Sequence, residues 1–187
     1  MVRERDLMRW LSIDPATKTG IARWEGAKLV SVATLRPMTV TEAKPHRCTK
    51  GDLAAVVLVD DRRVFVPHVT MARAWPSLLA GIEAVVIEEA MGFQPKTVAQ
   101  LGYRRGYIAA CAEARGIVVH EVNTSSWRKV AGEAWGVSFP AKSDAAKVLA
   151  QSLVREHYGV ECTDDEADAV LVGHWALRTR TVRAISA

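Results

Sequence analysis

Two carboxylates each end a mostly apolar run of the sequence. Asp14 follows Trp10-Leu11-Ser12-Ile13, and Glu88 follows Ala84-Val85-Val86-Ile87. Runs of this kind are typical of strands that are buried on both faces of a sheet. If the two strands are adjacent and parallel, both carboxylates emerge at the same sheet edge, where sites form in open α/β sheets.

A second pair of acids lies near the start of the last predicted helix. Thr163 and Glu166 have the spacing of a capping box, which begins a helix. Asp165 and Asp168 are three residues apart, so they share a face of that helix. Four acids from three distant segments, Asp14, Glu88, Asp165 and Asp168, are therefore candidates to converge.

Convergence of four carboxylates favours a bound cation. Like charges a few ångströms apart repel one another, and one carboxyl group tends to protonate unless a cation is present. Hard cations such as Mg²⁺ and Mn²⁺ prefer oxygen ligands. Two such ions about 4 Å apart activate a water and stabilise the leaving oxygen of a phosphodiester. The chemistry expected of this set is two-metal hydrolysis.

Each acid also has a purely structural interpretation. Asp14 precedes Pro15 and could simply start a turn, and Asp164, Asp165 and Glu166 suit the positive end of a helix dipole. Asp168 lies past the first three helical positions, and Glu88 closes an apolar strand. The structural interpretation fits these two acids less well.

The elements that must position these acids follow from hydropathy patterns and turn residues. The sequence predicts one α/β domain over residues 1–187 with a mixed five-stranded sheet flanked by helices. The first three strands (9–13, 20–24, 28–35) form an antiparallel meander, and 84–88 and 117–122 run parallel to the first. An extra hairpin is predicted at 54–66. Helices are predicted at 71–80, 96–115, 142–158 and from Thr163 onward.

Charge and hydropathy restrict the class of partner. The formal net charge is +4, a mild bias toward polyanions. No run is long and apolar enough to span a bilayer, and the charged start lacks the apolar region of a secretory signal. We therefore expect a cytoplasmic protein with no membrane partner. The candidate DNA contacts are Arg104, Arg105, Arg128, Lys129 and Lys147, although for each one taken alone a solvated face is the more ordinary interpretation.

Four motifs, in order from about residue 9 to residue 177, resemble those of RuvC-type Holliday-junction resolvases. Leu11–Pro15 with Thr19-Gly20 resembles the first-strand motif of that family, and Val86–Glu89 its second acidic strand. Leu101–Gly106 resembles the L-G-x-x-R-G of its long helix, and Asp165–Ala169 its closing D-x-x-D-A. Trp127-Arg128-Lys129, with Gly132 and Lys142, is similar to the phage and prophage branch.

The resemblance implies an RNase H-like fold and a homodimer that makes paired nicks across a four-way DNA junction in recombination and repair. It implies that the four acids hold two Mg²⁺ or Mn²⁺ ions. Lys142 matches a basic residue near the scissile phosphate. Met91 stands where the bacterial enzymes have a base-stacking Phe, and Phe93 is two residues further on.

A stripe of small residues on the long helix has two interpretations. Gly102, Gly106, Ala110 and Ala114 recur every four residues. Glycine inside a helix costs about 1 kcal/mol relative to alanine, which indicates compensating close contact. The stripe could contact the sheet of its own subunit, it could be the dimer contact that the family has on this helix, or both could hold on different flanks.

Three other functions compete with junction resolution. A non-catalytic branched-DNA binder on the same fold would leave the acids without purpose, since acids near phosphate weaken binding unless metals are present. An actin-like nucleotide-binding fold needs two lobes and a second glycine-rich loop, which the sequence lacks. A nuclease for flaps or RNA–DNA hybrids fits the same residues.

Overall fold

The computed structural model describes residues 7–43, 45, 52–59, 62–89, 95–141 and 143–182. Its strands form one seven-stranded sheet in the order β5-β4-β3-β2-β1-β6-β7. The strands are β1 (Arg9–Asp14), β2 (Thr19–Glu25), β3 (Lys28–Pro37), β4 (Leu53–Val59), β5 (Arg62–Val69), β6 (Ala84–Glu89) and β7 (Val118–Asn123).

The strand directions are those expected. The first three strands form an antiparallel meander, β6 pairs with β1 in parallel, and β7 pairs with β6 in parallel. The expected hairpin is present, but it is not a separate appendage. Strand β4 pairs antiparallel with β3, and β5 with β4. The hairpin thus uses the free edge of β3 and extends the mixed sheet from five strands to seven.

Six helices accompany the sheet in the described residues: α1 (Val40–Ala43), α2 (Met71–Leu78), α3 (Pro95–Glu113), α4 (Thr124–Trp135), α5 (Ser143–Tyr158) and α6 (Asp164–Arg178). The sequence analysis missed α4. Its start is capped by Asn123, whose side chain accepts a hydrogen bond from the Ser126 backbone N–H, and it ends at Gly136 with φ 67°. These are ordinary helix-boundary signals.

The sheet separates two hydrophobic clusters. One contains Trp10, Trp24 and the apolar side of α6, and the other contains Leu11, Ile87 and Ile108 of α3. Trp10 stacks on Trp24 with 5.1 Å between ring centroids. Helix α6 thus packs on one face of the sheet and is largely buried. Its contacts with Trp10 and Trp24 define its position relative to β1 and β2. No helix in the described ranges is long and apolar enough to cross a membrane.

Candidate active site

Asp14 and Glu88 lie side by side at the carboxyl ends of β1 and β6. Ile13 and Ile87 are direct partners in the parallel ladder, so Asp14 and Glu88, the residues that follow them, lie at the same end of the two strands. Both acids line a cavity of about 90 Å³ that Thr124 at the start of α4 also lines. The strand-end arrangement expected from the sequence is therefore present.

Gly20 brings the start of α6 against this edge. It is the cross-strand partner of Asp14 on β2. A Cβ atom added to Gly20 would lie 1.8 Å from the backbone oxygen of Asp165. Only a residue without a side chain allows the helix backbone to come so close. The contact places Asp165 beside the strand that pairs with β1.

The predicted capping box begins α6. The Thr163 side chain accepts from the Glu166 backbone N–H, and the Glu166 carboxylate accepts from the Thr163 backbone N–H. Both backbone N–H groups, which have no partner within the helix, thereby make hydrogen bonds. Asp165 and Asp168 follow on the same helix, one residue before and two residues after Glu166.

The four acids share one electrostatic field. Burial raises the pKa of Asp14 well above its usual range, and Glu88, Asp168 and Asp165 raise it further. Burial, followed by the charge of Glu88, raises the pKa of Asp168 to about 7. Burial and the charge of Asp164 raise the pKa of Asp165 to about 6. Burial is the largest cause in each case, and repulsion from other acids of the set adds to it for Asp14 and Asp168, as expected where carboxylates lie close together without a cation.

Glu88 is held by two donors from α4. Thr124 Oγ1 donates to Glu88 Oε1 at 2.5 Å, and Trp127 Nε1 donates to the same oxygen at 3.1 Å. Burial raises the pKa of Glu88, while these two hydrogen bonds and the charge of Arg128 lower it. Trp127 is fully buried, so it anchors α4 to the core and orients the acid. Both donors bind Oε1, and in the described part of the chain no hydrogen bond is found to Oε2.

The residues fit a hard divalent cation by donor type and charge. All four side chains offer carboxylate oxygens, the ligands that Mg²⁺ and Mn²⁺ prefer. Among the described residues, no three His, Cys, Asp or Glu side chains already stand in a metal-binding arrangement. The carboxylates nevertheless act on one another's pKa, because electrostatic repulsion extends further than direct coordination. The site is therefore an acidic cluster whose side chains would close on an ion.

Three of the candidate basic residues lie around this cluster. Arg104 Nη1 donates to the backbone oxygen of Ala16 at 2.6 Å, on the turn after Asp14. Lys147 Nζ pairs with Asp164 at 2.6 Å, and its pKa is raised by that pair and by Asp165 and Asp168. The charge of Arg128 lowers the pKa of Asp168.

Arg128 also lies over two aromatic rings. Its guanidinium carbon is 5.1 Å from the ring centroid of Trp127 and 5.8 Å from that of Phe139. Its Nε is buried and has no hydrogen-bond partner among the described residues. The rings therefore hold a cation close to the acids.

The other two basic candidates have different surroundings. Arg105 pairs with Glu121 of the outer strand β7 at 3.3 Å. Lys129 is exposed and lies 3.9 Å from Glu133, one turn further along α4. Lys142, Met91 and Phe93 lie outside the described residues.

The small-residue stripe of α3 faces away from the sheet. A Cβ atom added to Gly102 or Gly106 would meet no atom of the described residues within 4 Å. Ile108 and Ala112 of the same helix are buried against the sheet instead. The alternative that the two glycines contact their own subunit's sheet is therefore wrong.

Sequence reasoning missed the partners of Glu88. The signal was present in the sequence: Asn123-Thr124-Ser125-Ser126 is typical of a helix start, and Gly136 is typical of a helix end. A helix beginning directly after the fifth strand of the predicted sheet would have placed Thr124 at the edge that carries the acids. The length and direction of α4 then bring Trp127 to the same carboxylate.

Two solved structures of Thermus thermophilus RuvC resemble this chain. One has a TM-score of 0.50 and 18% sequence identity, and covers 93% of this chain and 98% of that chain. The other, in complex with a Holliday junction substrate, has a TM-score of 0.50 and 16% identity over the same shares. The crystal structure of the yeast mitochondrial Holliday junction resolvase Ydc2 has a TM-score of 0.46 and 10% identity, with 96% and 85% covered.

No family model and no curated protein matches the sequence. The two RuvC likenesses extend over nearly the full length of both chains and concern the fold. The chain therefore has the RuvC-type, RNase H-like fold, and the expected fold class is confirmed.

Proposed function

We propose that this chain is a metal-dependent endonuclease of the RuvC type, which resolves four-way DNA junctions by paired nicks. The observation that carries the proposal is that Asp14 and Glu88 lie on neighbouring strands at one end of the sheet, and that Glu88, Asp168 and Asp165 all raise the pKa of Asp14. The likeness to a RuvC bound to a Holliday junction supports the choice of substrate.

The four acids would hold two Mg²⁺ or Mn²⁺ ions. Bound ions supply an activated water and stabilise the leaving oxygen of the phosphodiester. The chain's own residues prepare the ligands: Thr124 and Trp127 orient Glu88, and Gly20 lets α6 carry Asp165 and Asp168 to Asp14. Holding Glu88 and the first turn of α6 in place would reduce the reorganisation that remains when the ions and the substrate bind.

Positive side chains around the acids would contact phosphates. Arg104, Arg128 and Lys147 lie close to the acidic cluster, and we assign Lys142 to the scissile phosphate. Arg105 and Lys129 would make more general backbone contacts. Binding through such residues is independent of sequence and weakens with salt.

Paired nicks require two active sites related by a two-fold axis, so the proposal includes a homodimer. The open stripe of Gly102, Gly106 and Ala110 on α3 is the proposed contact. Close approach of two helices is easiest where side chains are small.

A cleavage assay with Asp168→Asn tests this function. The substrate is a synthetic four-way junction under single-turnover conditions in Mg²⁺, with duplex, flap and RNA–DNA hybrid as comparisons. We expect Asp168→Asn to bind the junction in chelator at least as well as wild type, because one negative charge is gone. Its cleavage rate should fall by more than about 100-fold, beyond the loss typical of a ligand's supporting partner.

The matched control is Glu113→Gln, which removes an exposed carboxylate at the last residue of α3. It should cut the junction at the wild-type rate. Near wild-type cutting by Asp168→Asn would show that the acidic cluster is not the active site. Preference of the wild type for flaps or hybrids would assign it to the related nuclease class, and junction binding without cleavage would assign it to the non-catalytic binders.

A further inference from the structure

The hairpin that extends the sheet is tied to the start of α6. Arg63 on β5 donates from Nη1 to Glu166 Oε1 and from Nη2 to Glu166 Oε2, the latter at 2.8 Å. Arg63 Nη2 also donates to the backbone oxygen of Glu161 at 3.3 Å, in the loop before the helix. One guanidinium therefore contacts both the loop and the first turn of α6.

Glu166 is a buried anion whose donors come from three separate elements. Its side chain is 0% exposed. Besides Arg63, Thr34 Oγ1 on β3 donates to Oε1 at 2.9 Å, and the Thr163 backbone N–H donates to Oε2 at 2.8 Å. In the described part of the chain, Arg63 is the one cationic side chain paired with it. A buried charge is tolerated only with such partners, so the position of Glu166 is tightly defined.

The same row of the sheet connects Glu166 to the acidic cluster. Asp14, Gly20 and Thr34 are successive cross-strand partners on β1, β2 and β3, so their positions share one face. Glu166 binds Thr34, and Asp165 lies against Gly20. The first turn of α6 thus follows this row toward Asp14. A shift of Glu166 would move both neighbouring acids relative to Asp14.

We propose that Arg63 is a positioning residue for the acidic site, acting through Glu166 to set where Asp165 and Asp168 stand. This inference rests on the proposed function, since it assigns a role toward the metal ligands of that site. It also gives the hairpin a purpose: β4 and β5 carry one guanidinium to the helix that bears half of the ligands. The bidentate geometry matters because a guanidinium holds a carboxylate in orientation as well as position.

Mn²⁺ binding measured by calorimetry tests the role of Arg63. We expect Arg63→Ala to weaken Mn²⁺ affinity by about 10-fold, the lower end of the effect of losing a partner that orients ligands. Arg63→Lys keeps the charge but loses the bidentate contact, so its Mn²⁺ affinity should lie between those of wild type and Arg63→Ala. The matched control is Arg62→Ala, an exposed neighbour on β5. It loses the same charge and should bind Mn²⁺ within twofold of wild type.

Hydrogen–deuterium exchange of the metal-free proteins gives a readout that does not depend on metal or cleavage. The amides of residues 164–168 should exchange faster in Arg63→Ala than in wild type or Arg62→Ala, because the first turn has lost its anchor. Junction binding in chelator should be equal for Arg63→Ala and Arg62→Ala. If Arg63→Ala does not fold, Arg63→Met combined with Glu166→Gln removes both charges, and the same two measurements apply to it.

The outcomes separate the two proposals. Equal Mn²⁺ affinity and equal exchange at residues 164–168 in the Arg63 and Arg62 variants would overturn the role of Arg63, whatever the enzyme does. A folded wild type that binds no Mn²⁺ would instead overturn the proposed function. The exchange data would then still decide whether Arg63 fixes the start of α6.

Discussion

Glu88 shows how one strand-end acid is prepared for chemistry. Its side chain is only 8% exposed, and burial alone would favour the neutral form. Two donors on α4 and the charge of Arg128 lower its pKa in opposition to burial. The pKa of Glu88 remains raised overall, but these neighbours limit the rise because they compensate in part for the lost water.

Removing the indole donor to Glu88 should impair the site without emptying the core. In Trp127→Phe an aromatic ring still fills the position, but the hydrogen bond from Nε1 is lost. We expect cleavage to fall by about 10–100-fold. Stability should fall by about 1.5–3 kcal/mol, the value of a hydrogen bond to a charged group. Single-turnover cleavage and urea unfolding measure the two effects.

The matched control is Trp10→Phe. Trp10 is equally buried and donates from Nε1 to the backbone oxygen of Gly26 at 2.9 Å, a contact that does not involve the acids. It should lose some stability and keep its cleavage rate. Equal rate losses in both variants would show that the bond to Glu88 has no special role.

His174 should make stability depend on pH. Burial, together with the charges of Arg178 and His157, lowers its pKa to about 4, and Tyr158 contacts its Nδ1 at 2.8 Å. An unfolded histidine titrates near 6.5, so the unfolded chain takes up the proton first. The stability contributed by neutral His174 is therefore present above about pH 6.5 and is lost as the pH falls toward 4.

The expected size is about 1 kcal/mol between pH 7.5 and 5, because the side chain retains contact with water and the shift is discounted accordingly. Urea unfolding of wild type and His174→Gln at both pH values measures it. Protonation of the acids with raised pKa values changes the stability of both proteins alike, so the change on acidification should be less favourable in wild type than in the variant by this amount. Identical changes would mean that His174 does not carry this dependence.

At the scale of elements, the approach of α6 to β2 is decisive for the site. Gly20 lies against backbone atoms: an added Cβ would stand 1.8 Å from the oxygen and 2.4 Å from the carbonyl carbon of Asp165. Backbone cannot rotate away as a side chain can. Any larger residue must therefore displace the first turn of α6 or bend β2.

Gly20→Ala should damage both stability and catalysis. Overpacking of this kind costs about 1–3 kcal/mol, which corresponds to a melting temperature lower by several degrees. Cleavage should fall by more than about 10-fold, since ligand positions change with the helix. Gly102→Ala is the stability control, because its Cβ would meet nothing within 4 Å and helix propensity improves. A Gly20→Ala protein with wild-type melting and cleavage would refute the close approach.

Local patterns in the sequence were sufficient for many elements. The capping box of Thr163 and Glu166 is present as predicted, and Gly116 and Gly159, which follow the predicted helices 96–115 and 142–158, have the positive φ typical of helix ends, 70° and 68°. The strand-end positions of Asp14 and Glu88 followed from the apolar runs before them. These features depend on neighbours in the chain, which is why a single sequence predicts them.

The remainder depends on contacts between distant segments. Arg63 and Glu166 are 103 residues apart, and no local pattern pairs them. The sequence pattern predicted the two strands of the hairpin. Their pairing with β3 could not be predicted, because it depends on the outer edge of β3 being free. The hydrogen bond from Trp127 to Glu88 depends on how α4 packs against the sheet, which the residue type alone does not indicate. Such partners are determined by how the elements pack in three dimensions, and this packing is difficult to predict from a single sequence.

At the scale of the whole molecule, the exposed side of α3 combines apolar side chains with open glycine positions. Tyr103 is 71% exposed and Val98 39%, beside the open positions of Gly102 and Gly106. Isolated apolar residues on a surface are common. Here they flank glycines that make no compensating contact in the described structure. A second copy of α3 packed against this side would account for both features.

Gly106→Leu tests the dimer. In one subunit the new side chain has open space, and replacing glycine inside a helix improves helix propensity by about 1 kcal/mol. The single subunit should therefore fold normally. In a close helix–helix contact the same side chain would separate the two backbones. We expect light scattering at micromolar concentration to show a dimer for wild type and a monomer for Gly106→Leu.

The functional consequence distinguishes a dimer of this geometry from other associations. Two active sites on one particle cut both strands of a junction within one binding event, whereas a monomer releases singly nicked junctions. On a supercoiled plasmid with an extruded cruciform, wild type should therefore give linear product and Gly106→Leu nicked circles. Val148→Leu also introduces a leucine, at a side chain that is 64% exposed on α5, and it should behave as wild type. A wild type that is monomeric and still linearises the plasmid would exclude the two-fold arrangement, and a dimeric Gly106→Leu would place the contact on another surface.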